Sequence, residues 1–261
     1  MKRILLSFQF LTIIPVRDLG EVPGEEIGKA TAFFPLTGLF EGALLLVLAP
    51  VFLGVFPGGL ANGLLVLVMV VVNGGLHLDG LADTFDAIAS RGGTERKRAI
   101  MKESTVGALG VTAIVMALLL KYLLLDALFF DSVRRVYYST LLLMPVLSRW
   151  TMVPAIYHCR PAKQEGLGRM FAQHTGKKEV VTATLLCVAA SFTALGIMSQ
   201  FSVLTFHLMF IMPVLYMFAF AAVWFCNRNF GGMTGDTLGA VHEIAVLIIL
   251  AVMVIWSQGS A

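Results

Sequence analysis

Apolar residues run along this chain in long blocks rather than in the two-residue alternation of a half-buried strand, and polar residues gather in the short stretches between blocks. Seven blocks approach the roughly 20 residues that carry a helix across a bilayer. They lie near residues 32–56, 60–78, 106–125, 136–157, 179–198, 203–226 and 238–256. An earlier run, Ile4 to Val16, is thirteen residues long and is closed by Pro15. It is too short to cross and predicts a surface-lying or re-entrant helix. No small-residue cleavage site follows it, so it does not read as a secretory signal. The pattern predicts an all-α fold: a polytopic membrane helical bundle of about seven transmembrane helices plus a short N-terminal helix, forming one domain over residues 1–261.

Composition supports the same solvent. Hydrophobic residues make up 58% and charged residues 13%, with mean hydropathy +0.86, against roughly 45–50% and about 25% in soluble domains. Charge then sets the expected orientation. Lys2, Arg3, Arg17, Lys29, Arg91, Arg96, Lys97, Arg98, Lys102, Arg160, Lys163, Arg169, Lys177, Lys178 and Arg228 fall on one side of the seven-span topology. Lys121, Arg134 and Arg135 fall on the other. The excess of cations places the amino terminus in the cytoplasm. The net charge of +3 is therefore topological and gives no reason to expect a nucleic-acid partner. Cys159, Cys187 and Cys226 lack paired spacing and read as reduced and buried.

Acids change the picture. Asp79, Asp83, Asp86, Glu95, Glu103, Glu165 and Asp236 share the cationic side although they lie far apart in sequence. Their convergence suggests one polar chamber at the cytoplasmic face, suited to phosphates and metal. Asp79, Asp83 and Asp86 stand at i, i+4 and i+7, which stacks three carboxylates on one helical face. Capping and the helix dipole account for one such aspartate, not for three. Hard cations such as Mg²⁺ bind one or two carboxylates together with substrate phosphates. His77, two residues before Asp79, is placed to donate to a carboxylate or phosphate or to accept a proton.

A second segment runs Gly231-Gly232-Met233-Thr234-Gly235-Asp236 into the last span, which carries His242 and Glu243. Glycines before a helix amino terminus can offer backbone N–H groups to phosphate, which marks Gly232 and Gly235. Asp236 and Glu243 are two turns apart and share a face, and an ionisable residue inside a span is a functional candidate. Arg149 is a cation set deep within a predicted span and requires a buried anion: Glu243, Asp236 or a substrate phosphate. Lys102, where the third span begins, could reach the same phosphates, and Glu165 adds an acid beside Gly166 and Gly168.

The segments Gly75-Leu76-His77-Leu78-Asp79-Gly80-Leu81-Ala82-Asp83-Thr84-Phe85-Asp86 and Gly231-Gly232-Met233-Thr234-Gly235-Asp236-Thr237-Leu238-Gly239-Ala240 resemble the signatures of the cobalamin synthase (adenosylcobinamide-GDP ribazoletransferase) family. Met101-Lys102-Glu103-Ser104, Ser148-Arg149 and Glu165-Gly166-Leu167-Gly168 resemble its intervening motifs in the same order. The chain departs from the family pattern at Ala87 and Glu103. The resemblance implies a Mg²⁺-dependent transferase of the inner (cytoplasmic) membrane. The 3′-hydroxyl of α-ribazole, or of its 5′-phosphate, would displace GMP from adenosylcobinamide-GDP. Set against that chemistry, the residues are expected to hold metal at Asp79, Asp83, Asp86, Asp236 and Glu243, with catalysis by Asp79, Asp83, Asp236 and His77. Lys102, Arg149, Gly232, Gly235 and Glu165 would bind substrate. The alternatives are a CDP-alcohol type phosphotransferase, an aspartate-rich membrane prenyltransferase, or an ion-coupled transporter. The first carries Ala-Arg after its Asp-Gly, where this chain has Ala82-Asp83; the last is disfavoured by the absence of a repeat.

Overall fold

The structure is a computed structural model that describes residues 1–16, 19–103, 105–131, 134–160, 167–197 and 201–258. The described residues are almost wholly helical. The short helix α1 (Lys2–Leu11) is followed by α2 (Gly24–Ala30), which runs through a 3-10 turn into α3 (Phe34–Val55). After these come α4 (Gly58–Val72), α5 (Leu76–Ala89), α6 (Thr94–Ile100), α7 (Ala108–Asp131), α8 (Arg134–His158), α9 (Leu167–His174) and α10 (Lys177–Ile197). The short α11 (Phe201–Phe206) leads through a π turn into α12 (Met212–Phe230), and α13 (Gly235–Gln258) ends the bundle. Among the described residues, six helices are long and apolar enough to cross a membrane, and the pair α4 and α5 makes a seventh when counted as one broken span.

The least apolar span is the central one. The best 18-residue window of α8 is entirely buried in the bundle, and α3, α10, α12 and α13 pack around it. Its buried threonine hydroxyls are satisfied within the helix: Thr140 donates to the Val136 carbonyl and Thr151 to that of Leu147, both at 2.8 Å. Helix α3 reaches it through two small residues four apart, Gly38 and Gly42. A Cβ at either would lie within 2.3 Å of a backbone carbonyl oxygen of α8. Small residues that let backbones touch are the usual basis of helix association in lipid, where no hydrophobic effect drives it. The outer helices turn apolar side chains outward at helical spacing, as with Val47, Val51 and Val55 on α3 and Val115, Leu119 and Leu123 on α7.

The expected second span, 60–78, is corrected. Helix α4 stops at Val72, and α5 leaves it at an 85° bend. The stop is local chemistry: Gly74 and Gly75 both take positive φ, and their N–H groups return to the carbonyls of Val71 and Val70, each at 3.0 Å. That is a Schellman ending, which only glycine adopts without strain at the left-handed position. The chain after α1 crosses the break, and the Ile13 N–H donates to the Val72 carbonyl at 2.9 Å. A backbone group that the break would leave unpaired in lipid is thereby satisfied. The N-terminal apolar run forms a short helix as far as Leu11, and the non-helical stretch after it straps the broken span through Ile13.

Candidate functional site

The site begins where α5 crosses the start of α13. A Cβ at Gly80 would lie 2.5 Å from the Asp236 carbonyl oxygen, and one at Gly239 would lie 3.1 Å from the His77 carbonyl oxygen. Glycine in both motifs thus brings two helix backbones into contact and sets their aspartates beside each other. The start of α13 is fixed by a reciprocal cap. Thr234 N–H donates to Thr237 Oγ1 at 2.8 Å, and Thr237 N–H donates to Thr234 Oγ1 at 3.2 Å; this is the capping-box arrangement with threonine in the glutamate's place. Thr234 Oγ1 also donates to Asp236 Oδ2 at 3.2 Å, which orients that carboxylate.

Beside this crossing lies a cavity of about 220 Å³. Its polar wall holds His77 and Asp79 of α5 and Gly235 and Asp236 of α13. Its apolar wall comes from Phe10 and Leu11 of α1, Phe34 of α3, Met152 of α8, Phe171 of α9, and Leu76, Leu238 and Gly239. Asp79 is exposed, while Asp83, one turn further along α5, and Asp236 are half-buried. Asp79 and Asp236 line the cavity and Asp83 does not; carboxylate oxygens suit a hard cation that takes the rest of its shell from water and substrate phosphate. The donor set therefore fits Mg²⁺.

Several expected members are placed elsewhere. The Asp86 carboxylate accepts from the N–H groups of Gly107 (2.6 Å) and Gly110 (2.8 Å). Both oxygens are engaged at the amino end of α7, where this residue caps the helix. Arg149 is fully buried and bonds to Glu41 and, at 2.5 Å, to Asn73 Oδ1. Its anion is Glu41, not Glu243 or Asp236. Glu243 is buried against Lys121, with Nζ to Oε2 at 2.5 Å, and does not line the cavity beside Asp79 and Asp236. Lys121 thus points into the bundle and does not belong with the cations of the opposite face. The Gly232 N–H is spent on the Cys226 carbonyl at 3.3 Å and the residue is buried; it ends α12 rather than cradling phosphate. Gly235 does line the cavity, and Lys102 is exposed outside it. Glu165 lies outside the described residues.

Beneath the cavity is a second, drier centre. The rings of His77 and His242 lie 3.9 Å apart between centroids. Among the described residues, His77, His242 and Glu243 form the one compact three-ligand group, with ligand atoms within 4.8 Å of one another. Nitrogen donors suit Mg²⁺ poorly, and Lys121 already supplies Glu243 with a cation, so these residues are separate from the aspartate site. His77 lines both the cavity and a small void of about 10 Å³ shared with Asn73, Lys121 and Glu243; it is the wall between the two. Sequence reasoning missed Glu41, Asn73 and Lys121. A signal was present for Glu41, an acid inside an otherwise apolar first span.

Comparison with known proteins agrees with the motif evidence. The chain is 36% identical over 254 residues to an adenosylcobinamide-GDP ribazoletransferase of Geotalea daltonii, covering 97% of each chain. It is 34% identical to one from Clostridium tetani, covering 96% of this chain and 95% of the relative. A third, from Acetivibrio thermocellus, is also 34% identical, with 94% of each covered. No solved structure matches the chain. These relatives favour neither the phosphotransferase of CDP-alcohol type nor the transporter. With residues 3–254 matching the profile of cobalamin-5-phosphate synthase, the chain belongs to that family.

Proposed function

We propose that this protein is an adenosylcobinamide-GDP ribazoletransferase of the cytoplasmic membrane, with its site open to the cytoplasm. The observation that carries the reading is the meeting of Asp79 and Asp236, from two distant motif segments, on the polar wall of one cavity. The 3′-hydroxyl of α-ribazole or its 5′-phosphate attacks the cobinamide-side phosphorus of adenosylcobinamide-GDP. The bond to the GMP oxygen breaks, GMP leaves, and the hydroxyl proton passes to a carboxylate. Asp79 and Asp83 would hold Mg²⁺ with substrate phosphate, and the bound cation would neutralise charge as the diphosphate is displaced. Asp236, oriented by Thr234, receives and aligns the hydroxyl. Lys102, exposed after α6, meets the outer phosphate. His77 is held against His242 and shapes the wall. The orientation rests on the excess of cations at the end where α8 and α12 finish and α13 begins.

The test uses protein in liposomes with adenosylcobinamide-GDP and α-ribazole 5′-phosphate, with and without Mg²⁺, following GMP and the corrinoid product by chromatography. Asp83→Ala is expected to reduce turnover by at least about 100-fold, the scale of losing one preorganised electrostatic group, with membrane insertion intact. Substantial Mg²⁺-dependent activity in that variant removes Asp83 from the scheme.

A further inference from the structure

The cavity beside Asp79 and Asp236 is sharply two-sided, and its apolar side has no part in the mechanism above. Phe171 stands edge-on to two rings: Phe10 at 5.4 Å and 86°, and Phe34 at 5.7 Å and 82° between centroids and planes. Three helices remote in sequence from the aspartate motifs, α1, α3 and α9, thus deliver an aromatic corner opposite the carboxylates. Met152 adds a thioether to the same wall.

We propose that this corner is the subsite for the flat base of the acceptor nucleoside. The inference rests on the transferase reading and extends it to a site for the smaller substrate. Three observations support it. A space of about 220 Å³ is smaller than the pockets that enclose whole drug-sized ligands, about 300–1,000 Å³. It holds one bicyclic ring and part of a sugar and is too small to enclose a corrin macrocycle. Aromatic rings are the general platform for a base, since every base presents a π face. Finally, the far wall is built from phenylalanine, methionine and leucine side chains, none of which can bond the amino and carbonyl edge of a purine. A buried polar edge without partners is costly, whereas the methyl-bearing edge of dimethylbenzimidazole needs no partner. With the base in the aromatic corner, the ribosyl hydroxyls lie toward Asp79 and Asp236, where the attacking oxygen is required.

The experiment uses the full-length protein in liposomes with Mg²⁺, varying each substrate against saturation of the other. Phe10 is half-buried on the short helix α1, so Phe10→Ala removes one ring at modest structural cost; Phe171→Leu removes a second while keeping an apolar side chain in the buried position. In both variants the KM for α-ribazole is expected to rise about tenfold or more, within the range of one lost base-stacking contact. The KM for adenosylcobinamide-GDP and kcat are expected to stay within about twofold. Phe8→Ala, on the same helix but packed on Phe40, is expected to leave both KM values unchanged. Wild-type protein is expected to bind dimethylbenzimidazole riboside more tightly than adenosine in equilibrium dialysis. Normal product from the wild type with an unmoved α-ribazole KM in both variants overturns the subsite and leaves the reaction standing. A KM for adenosylcobinamide-GDP that rises in step overturns it too. No product from folded, Mg²⁺-supplied wild type overturns the reaction itself and the subsite with it.

Discussion

Arg149 shows how a residue can be read correctly in kind and wrongly in partner. A guanidinium inside a span must be matched by an anion, and it is; but the match is Glu41 on α3, with Asn73 filling a further donor. Spacing along one helix reveals which residues share a face, whereas pairing across helices depends on packing that a single sequence does not expose. The aspartates divide on the same principle. Asp79 and Asp236 meet in one cavity because Gly80 and Gly239 allow close approach, while Asp86 is claimed by backbone N–H groups of the next helix. For Arg149 the expected outcome of Arg149→Met is a loss of about 3–5 kcal/mol, because Glu41 is left charged and alone in the bundle. Glu41→Leu added to it is expected to recover much of that loss. Thermal unfolding in detergent measures both, and equal melting of single and double variants would show that the pair does not act as a unit.

At the scale of elements, apolar run length located every long helix, since the cost of placing unpaired backbone in lipid dictates helices of nearly fixed length. It did not locate the break between α4 and α5, because Gly74-Gly75 sits inside a run that is apolar on both sides and hydropathy does not register φ. The 85° turn is what swings α5 across α13 and gives the site its second wall. The acid stripe on α5 likewise looked uniform, although its last member works for a different helix. Asp86→Ala is expected to destabilise the protein by about 1–2 kcal/mol, the usual worth of a helix cap, and to leave the Mg²⁺ concentration for half-maximal activity unchanged. A several-fold shift in that concentration, measured by GMP release, would return Asp86 to the metal.

At the scale of the molecule, two buried ion pairs, Arg149 with Glu41 and Lys121 with Glu243, tie the bundle together between segments far apart in the chain. Synthesis proceeds from one end, so Glu41 enters the membrane well before α8 exists, and Lys121 enters with α7 long before α13. Each waits as an isolated charge, which the bilayer tolerates only at a cost of several kcal/mol. The nascent chain therefore carries its own test of completeness: charge in lipid is hidden only when the last helix arrives. A chain truncated after α12 is expected to be cleared faster than the full chain in a pulse-chase experiment, and Lys121→Leu is expected to lengthen the life of the truncated form. Equal lifetimes for the truncated chain with and without Lys121 would show that the unpaired lysine is not what marks an unfinished protein for destruction.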